Sequence, residues 1–185
     1  MPRIVAGRAK GRRLAAPAPG TRPTSDRARE ALFNSLNSLL DLEGVQVLDL
    51  FAGTGAVGLE ALSRGAGGAV FVESERAAVE VLRRNVDAVG LPGAAVRKRP
   101  AATYLAAPAT DGPFDLVFAD PPYELEPEPL AALLTSLVTY GWLAADAVLV
   151  VERSSRGSGP DWPDGIEAVR DRRYGAGVLW YGRRR

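Results

Sequence analysis

Apolar residues recur along this chain in two rhythms. Short runs rich in valine and other β-formers stand at VQVLDL (45–50), AVFVE (69–73), AAVRK (94–98), FDLVFAD (114–120) and AVLVVER (147–153), each of strand length. Between them the spacing lengthens to three or four residues. GLEALSRG (58–65) predicts a helix, Ala77, Val81 and Val89 share the face of a second capped by Ser74, and PLAALLTSLVTYG (129–141) predicts a third. Such alternation predicts a mainly parallel sheet with crossover helices. Upstream, Thr24, Ser25 and Asp26 offer N-cap oxygens to a helix carrying Ala28, Leu32, Leu36, Leu39 and Leu40 on one face and running to about Leu40. At the other end IEAVRDRRY and GVLWYGR, joined at Gly175, Ala176 and Gly177, predict a terminal antiparallel hairpin and bring the sheet to seven strands. The stretch ERSSRGSGPDWPDG before that hairpin reads as a loop.

RIVAGRAKGRRL, at 3–14, predicts two short strands around a glycine-containing turn, and AAPAPGTRP a Pro/Gly connector. The chain of 185 residues is long enough for one domain, so the expected division is a basic N-terminal hairpin and connector over 1–22 and an α/β domain over 23–185.

Composition narrows the chemistry by what is missing. There is no cysteine and no histidine, which excludes disulfides, thiolate nucleophiles, zinc clusters and histidine acid–base catalysis, and no metal site is expected. No apolar stretch approaches the ~20 residues of a membrane span and the start lacks a secretion signal, so the expected compartment is the cytoplasm, without a membrane partner. The balance of 23 basic and 22 acidic residues is uninformative as a sum. Its distribution is informative: Arg3, Arg8, Lys10, Arg12, Arg13, Arg22, Arg27 and Arg29 face a single acid, Asp26, in the first 29 residues. Such a cluster fits an arm gripping nucleic-acid phosphates, although a solvated charged terminus has the same composition.

Gly53, Gly55 and Gly58 give the G-x-G-x-x-G spacing of a phosphate loop, yet Asp49 stands at the end of the strand before it. A carboxylate beside a pyrophosphate is repulsive by roughly 1 kcal/mol or more, which disfavours a nicotinamide dinucleotide. The same acid suits an ammonium and a sulfonium, namely S-adenosylmethionine. Glu73 ends the second strand, where an acid can accept hydrogen bonds from both ribose hydroxyls. Each acid also has a plainer reading: Asp49 as a cap on the helix after the loop, Glu73 as an N-terminal charge on the next helix.

The fourth strand ends in Asp120-Pro121-Pro122-Tyr123. Two prolines cannot continue a parallel strand, so the chain leaves the sheet rigidly, with the Asp120 carboxylate and the carbonyls of Asp120 and Pro121 at the edge that carries the glycine loop. Two acceptors gripping an exocyclic amine favour the pyramidal nitrogen needed for attack, while Tyr123 stacks on a flipped base. The plainer reading is a proline turn with Tyr123 covering the core.

These segments together resemble the RsmD family of class I S-adenosylmethionine-dependent methyltransferases, which methylate N2 of a guanine in 16S ribosomal RNA. The resemblance covers nearly the whole chain and is most specific in RIVAGRAKGRRL, RPTSDRAREALFNSL, LDLFAGTGAVGLEALSRGA, FVE and FADPPY. D-P-P-Y alone would fit adenine-N6 DNA methyltransferases equally well, and a non-catalytic RNA-binding assembly factor is a further alternative; Arg22-Pro23-Thr24 and the basic hairpin favour RNA methylation. The resemblance implies a Rossmann-like fold in which Asp49, Phe51, Gly53 and Gly55 wrap the methionine end of the cofactor and Glu73 holds its ribose. It implies that Arg22 and Thr24 close over the cofactor and that Asp120, Pro121, Pro122 and Tyr123 bind the guanine. Arg3, Arg8, Lys10, Arg12 and Arg13 are the expected RNA contacts, with 16S rRNA, in the small ribosomal subunit, as partner and the protein itself a monomer. RPAATY (99–104) lacks the acid or amide that many class I methyltransferases set against the adenine amine, so no site is placed there.

Overall fold

The computed structural model describes residues 2–16 and 25–185. It contains α1 (Asp26–Leu36), β1 (Gln46–Leu50), α2 (Ala56–Ser63), β2 (Gly68–Glu73), α3 (Arg76–Val89), β3 (Ala94–Lys98), α4 (Ala101–Leu105), β4 (Phe114–Ala119), α5 (Pro127–Thr139), β5 (Leu143–Ser154), β6 (Ile166–Tyr174) and β7 (Gly177–Arg184). The strands form one seven-stranded sheet in the order β3-β2-β1-β4-β5-β7-β6. β1 to β5 are parallel to one another, and β7 lies antiparallel between β5 and β6. This is the Rossmann-like class I methyltransferase architecture expected from the sequence.

Because neighbouring strand residues point to opposite faces, β1 sends Val47 and Leu48 into two separate cores. Val47, Phe71, Phe118 and Tyr181 pack with α1, α2, α3 and the N-terminal segment. Leu48, Val72, Phe114 and Trp142 pack with α4 and α5. No helix of the described residues is long and apolar enough to cross a membrane.

Four elements differ from the expected pattern. The N-cap of α3 is Glu75 and not Ser74, and it makes no side-chain cap bond. α1 stops at Leu36 instead of about Leu40: Ser38 Oγ donates to the Ser35 carbonyl, a local bond that competes with the helix, and Leu39 and Leu40 reach the core from the turn beyond. α4 is a single turn after Pro100, too short to show a period. β5 begins at Leu143, four residues before the apolar run, and pairs with β4 across an irregularity between Phe114 and Leu116.

The N-terminal segment closes on itself through one antiparallel bridge, Arg3 with Arg13, and through Ile4 N–H to Arg12 O (2.9 Å) and Gly11 N–H to Ile4 O (2.8 Å). It does not project: Ile4, Ala9 and Leu14 are buried in the α1–α3 core. Glu60 of α2, fully buried, accepts Val5 N–H (2.8 Å), Ala6 N–H (2.9 Å) and Arg64 Nε–H (2.9 Å). Ser63 Oγ accepts Ala9 N–H (2.9 Å), and the Ser63 carbonyl accepts Arg8 N–H (2.7 Å). Gly7 makes this approach possible, since a Cβ there would lie 1.9 Å from Ser63 O.

Candidate active site

Parallel strands end at one edge, and that edge collects the acids. Leu50 is in register with Val72 of β2 and Ala119 of β4, so Glu73 and Asp120 follow one step beyond on either side of β1, with Asp49 just inside. The chain then turns into the glycine loop through Phe51, a non-glycine residue at φ 59°. That left-handed conformation costs of order 1–2 kcal/mol. It is held by Ala52 N–H to Val72 O (3.1 Å) and Gly53 N–H to Glu73 Oε2 (2.9 Å). Backbone held in such a conformation by its surroundings is characteristic of ligand sites.

The three glycines have separate tasks. Gly58 lets α2 approach the sheet, because a Cβ would stand 2.4 Å from Phe71 and 3.2 Å from Asp49 Oδ2. Gly55, at φ 77°, turns the chain into α2 under Leu82. Gly53 also has positive φ, 55°, yet a Cβ on it would meet nothing within 4 Å, so the loop leaves open room there for a ligand.

Both plainer readings of the acids are realised, without using up their capacity. Asp49 Oδ2 accepts Gly58 N–H (3.0 Å) in the first turn of α2. Glu73 accepts Gly53, Ser74 and Glu75 N–H at 2.9, 2.8 and 2.8 Å, which leaves roughly one of its four lone-pair sites for a hydroxyl. Burial pushes the Asp49 carboxyl well above the usual carboxylate range, offset in part by the Gly58 bond and reinforced by the charges of Asp120 and Glu73. Burial, then the neighbouring Glu152, push Asp120 up to about 7, with Arg153 opposing. A buried carboxyl whose affinity for protons is raised by burial and by the charges of Asp120 and Glu73 gains by receiving a cation. Among the described residues no group of three or more acids, histidines or cysteines is placed to hold a metal.

Beyond Asp120, Pro121 is buried while Pro122 and Tyr123 are exposed, Tyr123 at 37%. Arg153 at the end of β5 fixes this turn, donating to Pro122 O (3.2 Å) and Leu125 O (2.7 Å). Tyr123, Arg153 and the 154–161 loop line a cleft of about 130 Å³. Sequence reasoning passes over Glu152 and Arg153, although the strand-end logic applied to β1, β2 and β4 reaches them equally. Arg22 and Thr24 lie outside the described residues.

Of the basic residues, Arg3, Lys10 and Arg27 line a surface cleft of about 340 Å³ that also holds Asp26 and Glu30. Arg13 is exposed. Arg8 donates to Leu62 O (3.2 Å) near the end of α2, and Arg12 to Val89 O at the end of α3. Cations at helix carboxyl ends are favourable for the helix itself.

With this geometry in view, comparison with known proteins is specific. The profile of a family described as "Conserved hypothetical protein 95" matches residues 2–183. Ribosomal RNA small subunit methyltransferase D of Escherichia coli (strain K12) is 41% identical over 162 residues, 87% of this chain and 79% of the relative. The chain belongs to the RsmD family. Among solved structures the Escherichia coli protein yhhF superposes with TM-score 0.86 at 36% identity, covering 98% of this chain and 97% of that one. Magnesium protoporphyrin IX methyltransferase (ChlM) from Synechocystis PCC 6803, with bound SAM, shares the fold at TM-score 0.66 and 14% identity over 86% of this chain and 79% of its own. Family and fold thus make this RsmD-family member a methyltransferase.

Proposed function

We propose that the chain transfers a methyl group from S-adenosylmethionine to the exocyclic N2 of a guanine in 16S rRNA of the small ribosomal subunit. The observation that carries this reading is the meeting of Asp49, Glu73 and Asp120 at adjacent strand tips beside the rigid Pro121-Pro122-Tyr123 turn. The relative's name, a small-subunit ribosomal RNA methyltransferase, supports the substrate, and the ligand of the ChlM structure supports the cofactor.

Asp49 and the open Gly53 loop receive the positively charged end of the cofactor, and Glu73 takes a ribose hydroxyl. When bound, the cofactor supplies a methyl group on a sulfonium, which leaves as a neutral thioether. Asp120 and the Pro121 carbonyl accept the two N2 hydrogens of the base, directing the nitrogen lone pair at the methyl carbon. As the N–C bond forms and the C–S bond breaks, the nitrogen has one proton too many, and Asp120, with its pKa near 7, takes it at a carboxylate oxygen. Tyr123 stacks on the flipped base. Arg22 and Thr24 close over the cofactor. Arg3, Lys10 and Arg13 meet phosphates, and Arg8 and Arg12, through their bonds to α2 and α3, fix that surface in place.

The decisive experiment incubates the protein and its D120A variant with labelled S-adenosylmethionine and undermethylated small subunits, then maps the modified base. Label on one guanine N2 with wild type, and none with D120A despite retained cofactor binding, is expected. Label elsewhere, or undiminished turnover by D120A, refutes the assignment.

A further inference from the structure

We propose that Glu152 selects guanine by accepting the hydrogen of ring nitrogen N1, so that a purine with a lone pair in place of N1–H is rejected. This rests on the guanine-N2 reading above and adds the residue that separates guanine from adenine.

Glu152 reaches the site from a strand the reaction does not otherwise use. β5 runs parallel to β4 with Val151 in register with Ala119, which sets Glu152 level with Asp120 on the neighbouring strand, about 4.8 Å away along the hydrogen-bonding direction. Phe118 and Val150 point into the same core, so the residues two further on, Asp120 and Glu152, share that face. Glu152 lines a small recess there with Leu32, Phe118, Tyr174, Gly177 and Leu179. A Cβ on Gly177 would lie 2.8 Å from Glu152 Oε1 and 3.6 Å from the Tyr123 hydroxyl. The glutamate carboxylate and the base-stacking tyrosine therefore converge over a residue without a side chain. The charge of Glu152 also bears on Asp120.

The chemistry of the two purines distinguishes what such a pair accepts. Guanine presents N1–H beside the N2 amine, three donor hydrogens in a row. Adenine presents its amine beside the N1 lone pair. With Asp120 and the Pro121 carbonyl on the amine, an acceptor beside Asp120 completes the guanine edge and opposes the adenine edge with like charge. Glu152 is half-buried, and a carboxylate set to accept from the base edge discriminates against a base that presents a lone pair there.

The test uses small-subunit RNA with either guanine or 2-aminopurine at the mapped position. The analogue keeps the N2 amine and replaces N1–H by a lone pair. Wild type should favour guanine by about 10- to 100-fold in kcat/KM, the range for a good base-edge contact. Glu152→Gln, whose amide can turn its NH2 toward that lone pair, should lower the preference at least about tenfold, and Glu152→Ala should lower it as well. A purely structural role would depress both substrates together and leave the ratio unchanged, which overturns the inference, as does a wild-type ratio near one. Loss of labelling on both RNAs by both variants, with cofactor binding kept, would make Glu152 part of the chemistry and likewise overturn it as a selector. Failure of wild type to label guanine RNA at all would instead remove the guanine-N2 reading beneath it.

Discussion

Replacing Asp120 by asparagine should make the free protein more stable. The carboxyl of Asp120 stands at about 7 against an ordinary 3.8, because burial and Glu152 disfavour its charge. The folded chain therefore holds this proton more tightly than the unfolded one. Its stabilising contribution is complete below pH 4 and is lost as pH rises through about 7, above which the ionised group burdens the native state. At about 1.36 kcal/mol per pKa unit the ceiling on that burden is about 4 kcal/mol. For a chain of this size each kcal/mol moves Tm by about 2–4 °C, so D120N should melt about 4 °C or more above wild type near pH 8.5. The difference should shrink steadily toward pH 5, because asparagine has no charge to remove and both proteins then carry a neutral group. Differential scanning calorimetry in matched buffers measures it, and taking the difference cancels every other titrating group. Parallel Tm curves for the two proteins from pH 5 to 8.5 would refute the claim that Asp120 is held above its ordinary range. The stability lost to this residue is the cost of an ionisable group kept where a base and a cation must meet.

Three further outcomes follow from the same geometry. S-adenosylmethionine should gain affinity relative to its uncharged thioether product as pH rises from 6 to 8, since a cation favours ionised Asp49 and Asp120; titration calorimetry showing a flat ratio would disprove the cation-facing edge. Gly7→Ala should cost about 3 kcal/mol or more in urea denaturation, because φ is 81° and the new methyl would meet Ser63 O at 1.9 Å; a loss under about 1 kcal/mol would mean that the segment docks otherwise. Arg3→Glu, Lys10→Glu and Arg13→Glu together should weaken RNA binding and flatten its log–log salt dependence by roughly 0.7 to 0.9 for each phosphate no longer neutralised, with cofactor affinity kept; an unaltered slope would remove this surface from RNA recognition.

The sequence makes the acid edge readable for a physical reason: in parallel strands every carboxyl end reaches the same side, so the placing of Asp49, Glu73 and Asp120 follows once three strands are recognised. Which strand adjoins which does not follow, because valine-rich runs specify strand and not neighbour. Glu152 is thus legible in the sequence as a strand-end acid, but its place level with Asp120 comes only from the β4–β5 pairing. The N-terminal segment shows the complementary limit. Its arginines are countable, but Arg8 and Arg12 turn to the carbonyl ends of α2 and α3, and nothing in a count of charges distinguishes a phosphate from a helix terminus. Gly7 likewise reads as an ordinary turn glycine until Ser63 is found against it.

All eight residues of α2 are buried; the ligand loop adjoins its front, and the back grips the N-terminal segment through Glu60 and Ser63. Trimming the first dozen residues would open that helix to water from behind and leave the Glu60 carboxylate without two of its donors. A shortened protein that no longer labels RNA would then be reporting a collapsed cofactor cradle as readily as a missing grip on nucleic acid. Charge reversal at exposed positions, with the backbone left whole, is the cleaner instrument for telling them apart.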